Sequence, residues 1–129
     1  MNSSQLNPED MILHITTRSA WEEAQTHGEY SAPSLSVEGF IHCSTLSQIL
    51  PVAENFYKGQ KELVVLVIDP TQLASALHWE APTERILPPP GVPVGEKFPH
   101  VYGPINLNAV VKVADLEENE SGEFTLPAV

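Results

Sequence analysis

The chain has 129 residues, 42% of them hydrophobic and 18% charged, a balance that suits one packed domain rather than two and is too apolar for a disordered polymer. Six Lys and Arg against seventeen Asp and Glu give a formal charge of -11, a field that repels phosphate backbones, so DNA is not an expected partner. A single cysteine, Cys43, excludes an internal disulfide; the absence of a membrane-length apolar run and of a basic segment leading into an apolar one points to the cytoplasm, with no membrane partner.

Residues 1–9 read as a polar leader, 10–116 as a single globular domain, and 117–129 as an acidic tail with a weak edge strand near Glu123 to Leu126. Met11 to Ile15 is a short apolar strand interrupted by His14, and Thr16-Thr17 then caps a helix that carries Trp21 and closes at Gly28, where glycine accepts the left-handed conformation. Tyr30 to Glu38 holds Pro33 and three serines without a helical period, and reads as an ordered loop. Gly39 releases a second strand, Phe40 to Ser44, whose alternation turns Phe40 and His42 one way and Ile41 and Cys43 the other.

Ser44 or Thr45 is the expected cap of a second helix running through Phe56 to a stop at Gly59, with Pro51 near its first turn. Leu63 to Ile68 is an unbroken apolar run, the pattern of a strand buried on both faces and hence the centre of the sheet. Asp69-Pro70 ends it in a short turn or helix through Leu73, and Ala76 to Glu80 forms a further strand. From Pro82 to Pro99, six prolines and two glycines enforce a long loop, apart from an extended piece at Arg85 to Leu87; a loop of this size in a compact domain is usually functional. His100 stands at its exit, and Ala109 to Leu116 is the last core strand. The sum is α+β: a compact domain with small mixed or antiparallel sheets and two main helices.

Three histidines in apolar contexts, His14, His42 and His100, are the candidate catalytic groups, because imidazole serves as acid, base or donor near neutral pH. Taken singly, each also fits a satisfied core position. His27, at a helix C-terminus, and His78, ahead of Trp79, read as structural. Glu80 after Trp79 is a carboxylate partly shielded by aromatic surface, which desolvation would raise in pKa and suit to a base or a ribose-binding group. Cys43 reads as a small core residue, turned away from His42. A zinc site from the three histidines lacks any His-x-x-x-His or Cys-x-x-Cys spacing, so no metal is assigned. The phosphate-cradling glycine patterns are missing too.

Ile12-Leu13-His14-Ile15-Thr16, Tyr30-Ser31-Ala32-Pro33-Ser34-Leu35, Glu38 to Thr45, Trp79-Glu80 and Phe98 to Pro104 occur in the order found in the family called domain of unknown function 952, and over roughly residues 11 to 114 the chain resembles it. That family looks like a distant relative of the ADP-ribosyltransferase fold, in which two small sheets flank a cleft that binds NAD in active members. The resemblance implies that His14 holds a ribose hydroxyl and that Gly39 to Ser44 shapes the pocket for the nicotinamide. Phe40-Ile41-His42-Cys43-Ser44 is also similar to a strand of the RNA 2'-phosphotransferases. The chain departs from the pattern in having no glutamate in Ala109 to Val113 and few basic residues for a phosphate.

On these grounds the expected partner is a nucleotide or another small polar ligand, with NAD the cofactor that the resemblance implies. His14 and Ser44 would fix its sugar or phosphate, His42 and His100 line the reacting end, Tyr102 and Trp21 offer stacking faces, and Glu80 orient a hydroxyl or act as base. A non-catalytic ligand- or protein-binding module on the same fold is the rival from a different class, with a metal-dependent hydrolase third.

Overall fold

A computed structural model describes residues 7–81, 90–93, 95–127 and 129. The leader through Leu6 and the extended piece expected at Arg85 to Leu87 lie outside the described residues. Eight strands and three α-helices are present among them, and every strand pairing is antiparallel.

The first sheet takes β1 (Ile12–Thr17), β4 (Leu63–Ile68) and β8 (Val110–Leu116), in the order β1-β4-β8. All six residues of β4 are buried, as its unbroken apolar run dictates. Alternation along it builds two cores. Val64, Leu66 and Ile68 pack with Ile12, Ala24, Tyr30 and Val101, while Leu63, Val65 and Val67 pack with Leu13, Ile15, Ile49 and Ala53. Phe124 from the chain's end joins the second core, and its backbone N–H donates to Glu54 at 2.7 Å. Phe124 also forms an isolated antiparallel bridge with Glu118.

Helix α1 (Arg18–His27) starts and stops as its sequence predicts: Thr17 accepts the Ala20 N–H at its N-cap and Gly28 closes it at φ 92°. Tyr30 to Glu38 departs from the expected loop. After β2 (Glu29–Tyr30) comes a six-residue helix, α2 (Pro33–Glu38), with proline at its start and Gly39 at φ 91° as its cap. Pro33 begins this helix because the N–H it lacks has no intrahelical partner at that position. The expectation of two main helices is thereby corrected to three.

Only Ile41–His42 of the expected second strand pairs, as β3. Ser44 instead bridges Leu13, exchanging both backbone hydrogen bonds with it at 2.8 Å. Helix α3 (Ile49–Phe56) begins later than expected, after a turn in which Gln48 Oε1 accepts the Thr45 N–H. Strand β5 (Ala76–Glu80) is as expected, but Phe98 to Tyr102, read as the exit of a loop, is β6 (Phe98–Tyr102). It is the middle of a second three-stranded sheet of order β3-β6-β5, and β7 (Ile105–Asn106) pairs with β2 in a third. Among the described residues no helix is long and apolar enough to cross a membrane.

Candidate functional site

The two three-stranded sheets meet along a cleft of about 690 Å³ whose walls include His14, His42, Ser44 and His100. The three histidines that the sequence singled out separately, from β1, β3 and β6, thus share one cavity. Its volume falls in the usual range for a small-molecule site.

His14 enters because alternation on β1 puts it, with Thr16, on the Tyr30 side of the sheet, opposite Leu13 and Ile15. Its Nδ1 lies 2.6 Å from the His42 carbonyl, and its Nε2 lies 2.8 Å from the Tyr30 hydroxyl. A carbonyl only accepts, so Nδ1 carries the proton and Nε2 takes the phenolic one. Thr16 Oγ1, 3.0 Å from the same phenolic oxygen, extends the chain. Burial lowers the His14 pKa to about 4, the Nδ1 hydrogen bond to His42 opposing it in part, and it pushes the Tyr30 phenol up to about 12. At neutral pH His14 is therefore a neutral imidazole in a fixed tautomer.

His42 and His100 sit directly opposite each other across the β3–β6 ladder, and His78 sits opposite His100 on β5, forming a row of three imidazoles. His42 is exposed; its Nε2–H is 3.1 Å from each carboxylate oxygen of Glu38. His100 is fully buried, stacked on Phe40 with ring centroids 4.1 Å apart. Its Nδ1–H donates to Glu80 Oε1 at 2.8 Å, and the Tyr102 hydroxyl donates to the same oxygen at 2.6 Å. In the neutral ring, Nε2 of His100 is then left as the acceptor.

Glu80 differs from expectation. Its pKa is lowered, not raised, because Tyr102 and His100 both donate to it. Trp79 cannot shield it, since neighbours on a strand point to opposite faces, and the Trp79 side chain is itself exposed. Glu80 and Tyr102 are absent from the cleft wall; they stand behind His100. Trp21 packs against the first core from α1, likewise off the wall. Cys43 does line the cleft, yet burial drives its thiol far above the ordinary value, which removes it as a nucleophile.

Ser44 is 4% exposed and on the wall, and its hydroxyl has no hydrogen-bond partner among the described residues. A buried hydroxyl in that state is costly unless something else satisfies it. Among the described residues, no group of three or more His, Cys, Asp or Glu is arranged to hold a metal ion. Sequence reasoning missed Glu38, Tyr30, Thr16 and Phe40 as members of the site. Thr16 was legible, two residues beyond His14 and so on its face; Glu38 was not, because the left-handed turn at Gly39 is what swings it back to His42.

The chain belongs to the family described as Protein of unknown function (DUF952), whose profile matches residues 15–113. It is similar to the crystal structure of protein CC0527 from Caulobacter crescentus, with 30% identity and a TM-score of 0.75 over 90% of this chain and 94% of that one. A double mutant of CC0527 is similar at 29% identity over the same shares, with the same TM-score of 0.75. The solution NMR structure of CC0527 matches at 30% identity, with a TM-score of 0.69 over 88% of this chain and 90% of that chain. No curated protein matches the chain.

Proposed function

We propose that the chain binds a nucleotide or another small polar, ring-bearing ligand in the three-histidine cleft, as an ADP-ribosyltransferase-like enzyme or as a relative that keeps the cleft without the reaction. The observation that carries the reading is the arrival of His14, His42 and His100 from three strands on one wall. The unpartnered Ser44 hydroxyl holds the polar part of the ligand, and His14, its ring nitrogens engaged by the His42 carbonyl and the Tyr30 hydroxyl, shapes the wall beside it. His42 and His100, each tied through one ring nitrogen to a carboxylate, form the end where a proton is taken or given. Glu80 acts through His100 as a positioning residue.

NAD, the cofactor suggested by the resemblance, fits this wall only in part. The mostly apolar wall suits a ring, and Ser44 and Thr16 suit ribose hydroxyls. For the pyrophosphate, the described wall residues offer neither Lys nor Arg. The reading therefore assigns no step to NAD. The spent carboxylate of Glu80, bound to His100 and Tyr102 behind the wall, favours a second reading as a non-catalytic binding module.

A thermal-shift screen with NAD, ADP-ribose, nicotinamide, mononucleotides and short 2'-phosphorylated RNA tests the common claim, since a ligand that binds only the folded state raises Tm. The expected result is a shift from at least one probe that disappears in His14→Ala and in the exposed variant His42→Ala. A screen without any shift ends the reading. Glu80→Gln then separates the two forms: an enzyme loses turnover while the ligand-induced shift persists, and a module has no turnover to lose.

A further inference from the structure

We infer that the cleft takes an extended peptide segment, which pairs its main chain with the free edge of β1 at Ile15; this goes beyond the small-ligand reading and does not draw on the histidine ring nitrogens. Strand β1 is an edge of its sheet. Leu13 exchanges both backbone hydrogen bonds with Ser44 at 2.8 Å, so its N–H and C=O point away from β4. In an antiparallel ladder that orientation alternates from residue to residue. His14, opposite Leu66, therefore faces β4, and Ile15, opposite Val65, faces away from it again. The Arg18 N–H, which donates to the Glu62 carbonyl just before β4, keeps the same phase.

Among the described residues nothing satisfies the Ile15 N–H or C=O, although Ile15 is only 4% exposed and lines the cleft. A buried donor and acceptor in that state cost free energy until a partner arrives. Continuing the ladder that Ser44 opens would put His42 opposite Ile15. His42 instead pairs with His100 across β3 and β6, and its carbonyl accepts the His14 Nδ1–H at 2.6 Å. The two strands part at Ser44, and the edge is bare where the cleft opens. Thr17, also on the wall, repeats the phase two residues on, and its N–H has no partner among the described residues. Donors and an acceptor at strand spacing match an extended main chain. A residue opposite Ile15 shares its face of the sheet, toward α3, where Val52, Phe56 and Tyr57 line the cleft and Phe56 is 63% exposed; an apolar or aromatic side chain fits there. Its two neighbours turn to the His14 and Thr16 side, which suits small polar residues. The formal charge of -11 favours a peptide with basic ends.

The peptide acetyl-Lys-Thr-Phe-Thr-Lys-amide, titrated into the intact chain beside its analogue N-methylated at the phenylalanine, tests this directly. Methylation removes the N–H that would donate to the Ile15 carbonyl, and the analogue should bind about tenfold more weakly. Amide hydrogen exchange supplies the second readout. In the free protein the Ile15 N–H should exchange faster than that of Leu13; saturating peptide should slow exchange at Ile15 and Thr17 and leave Leu13, already paired with Ser44, unchanged. Phe56→Ala, at an exposed wall position, should weaken the peptide and spare the fold. Equal affinity of the two peptides, saturation without slower exchange at Ile15, or no binding by a concentration of about 1 mM overturns the inference. Each of these outcomes leaves the small-ligand reading standing, and the nucleotide screen decides that reading without reference to the peptide.

Discussion

His14 is where burial has the most measurable consequence. Its pKa is about 4 in the folded protein, against about 6.5 for a solvated imidazole. The unfolded chain thus takes up a proton below pH 6.5 that the folded protein refuses. Stability from this group is complete above pH 6.5, falls as pH drops toward 4, and levels off below, a total of roughly 3 kcal/mol. Urea unfolding at pH 7 and pH 4.5 measures it: His14→Gln should lose markedly less stability between those pH values than the wild type. Equal losses in the two proteins would show that His14 does not carry the effect. The identity of this histidine was legible in the sequence from its place in an apolar strand. The hydrogen-bond chain through Tyr30 and Thr16 needed the fold, and so did the two donors that turn Glu80 from a raised carboxylate into a lowered one.

The elements that the sequence revealed are those with one strong local signal. Leu63–Ile68 is uniformly apolar, and Arg18–His27 carries its cap and its stop. Those it concealed carry conflicting signals. Phe98–Tyr102 contains Pro99, which argues against a central strand because it offers no N–H; in the fold its carbonyl accepts the Cys43 N–H at 3.0 Å, and the strand tolerates it. The turn that leaves β6 depends on Gly103, at φ 154°. A Cβ there would come within 2.9 Å of the Ser75 Cβ, in a conformation side chains rarely adopt. Ser75 Oγ donates to the Pro104 carbonyl at 2.7 Å, so it has little room to yield. Gly103→Ala should destabilise the protein by about 1–3 kcal/mol, seen as a lower Tm, and Ser75→Gly in the same chain should recover part of that. An unchanged midpoint in Gly103→Ala would contradict the crowded turn.

At the scale of the whole molecule, the cleft follows from register between strands distant in sequence. His42 meets His100 because Ile41 pairs with Val101, and His14 joins them because Ser44 bridges Leu13. No spacing along the chain encodes either pairing, which is why the histidines were legible as candidates and their convergence was not. The central claim is that these three imidazoles form one ligand-binding wall. Its most direct test is a titration of the intact protein with nicotinamide riboside, followed through the ¹H–¹⁵N imidazole resonances of its histidines. The account predicts that the signals of His14, His42 and His100 move together along one binding curve while that of His27, at the far end of α1, stays fixed. Saturating additions that leave all three unmoved, or that move them with unrelated affinities, would contradict it.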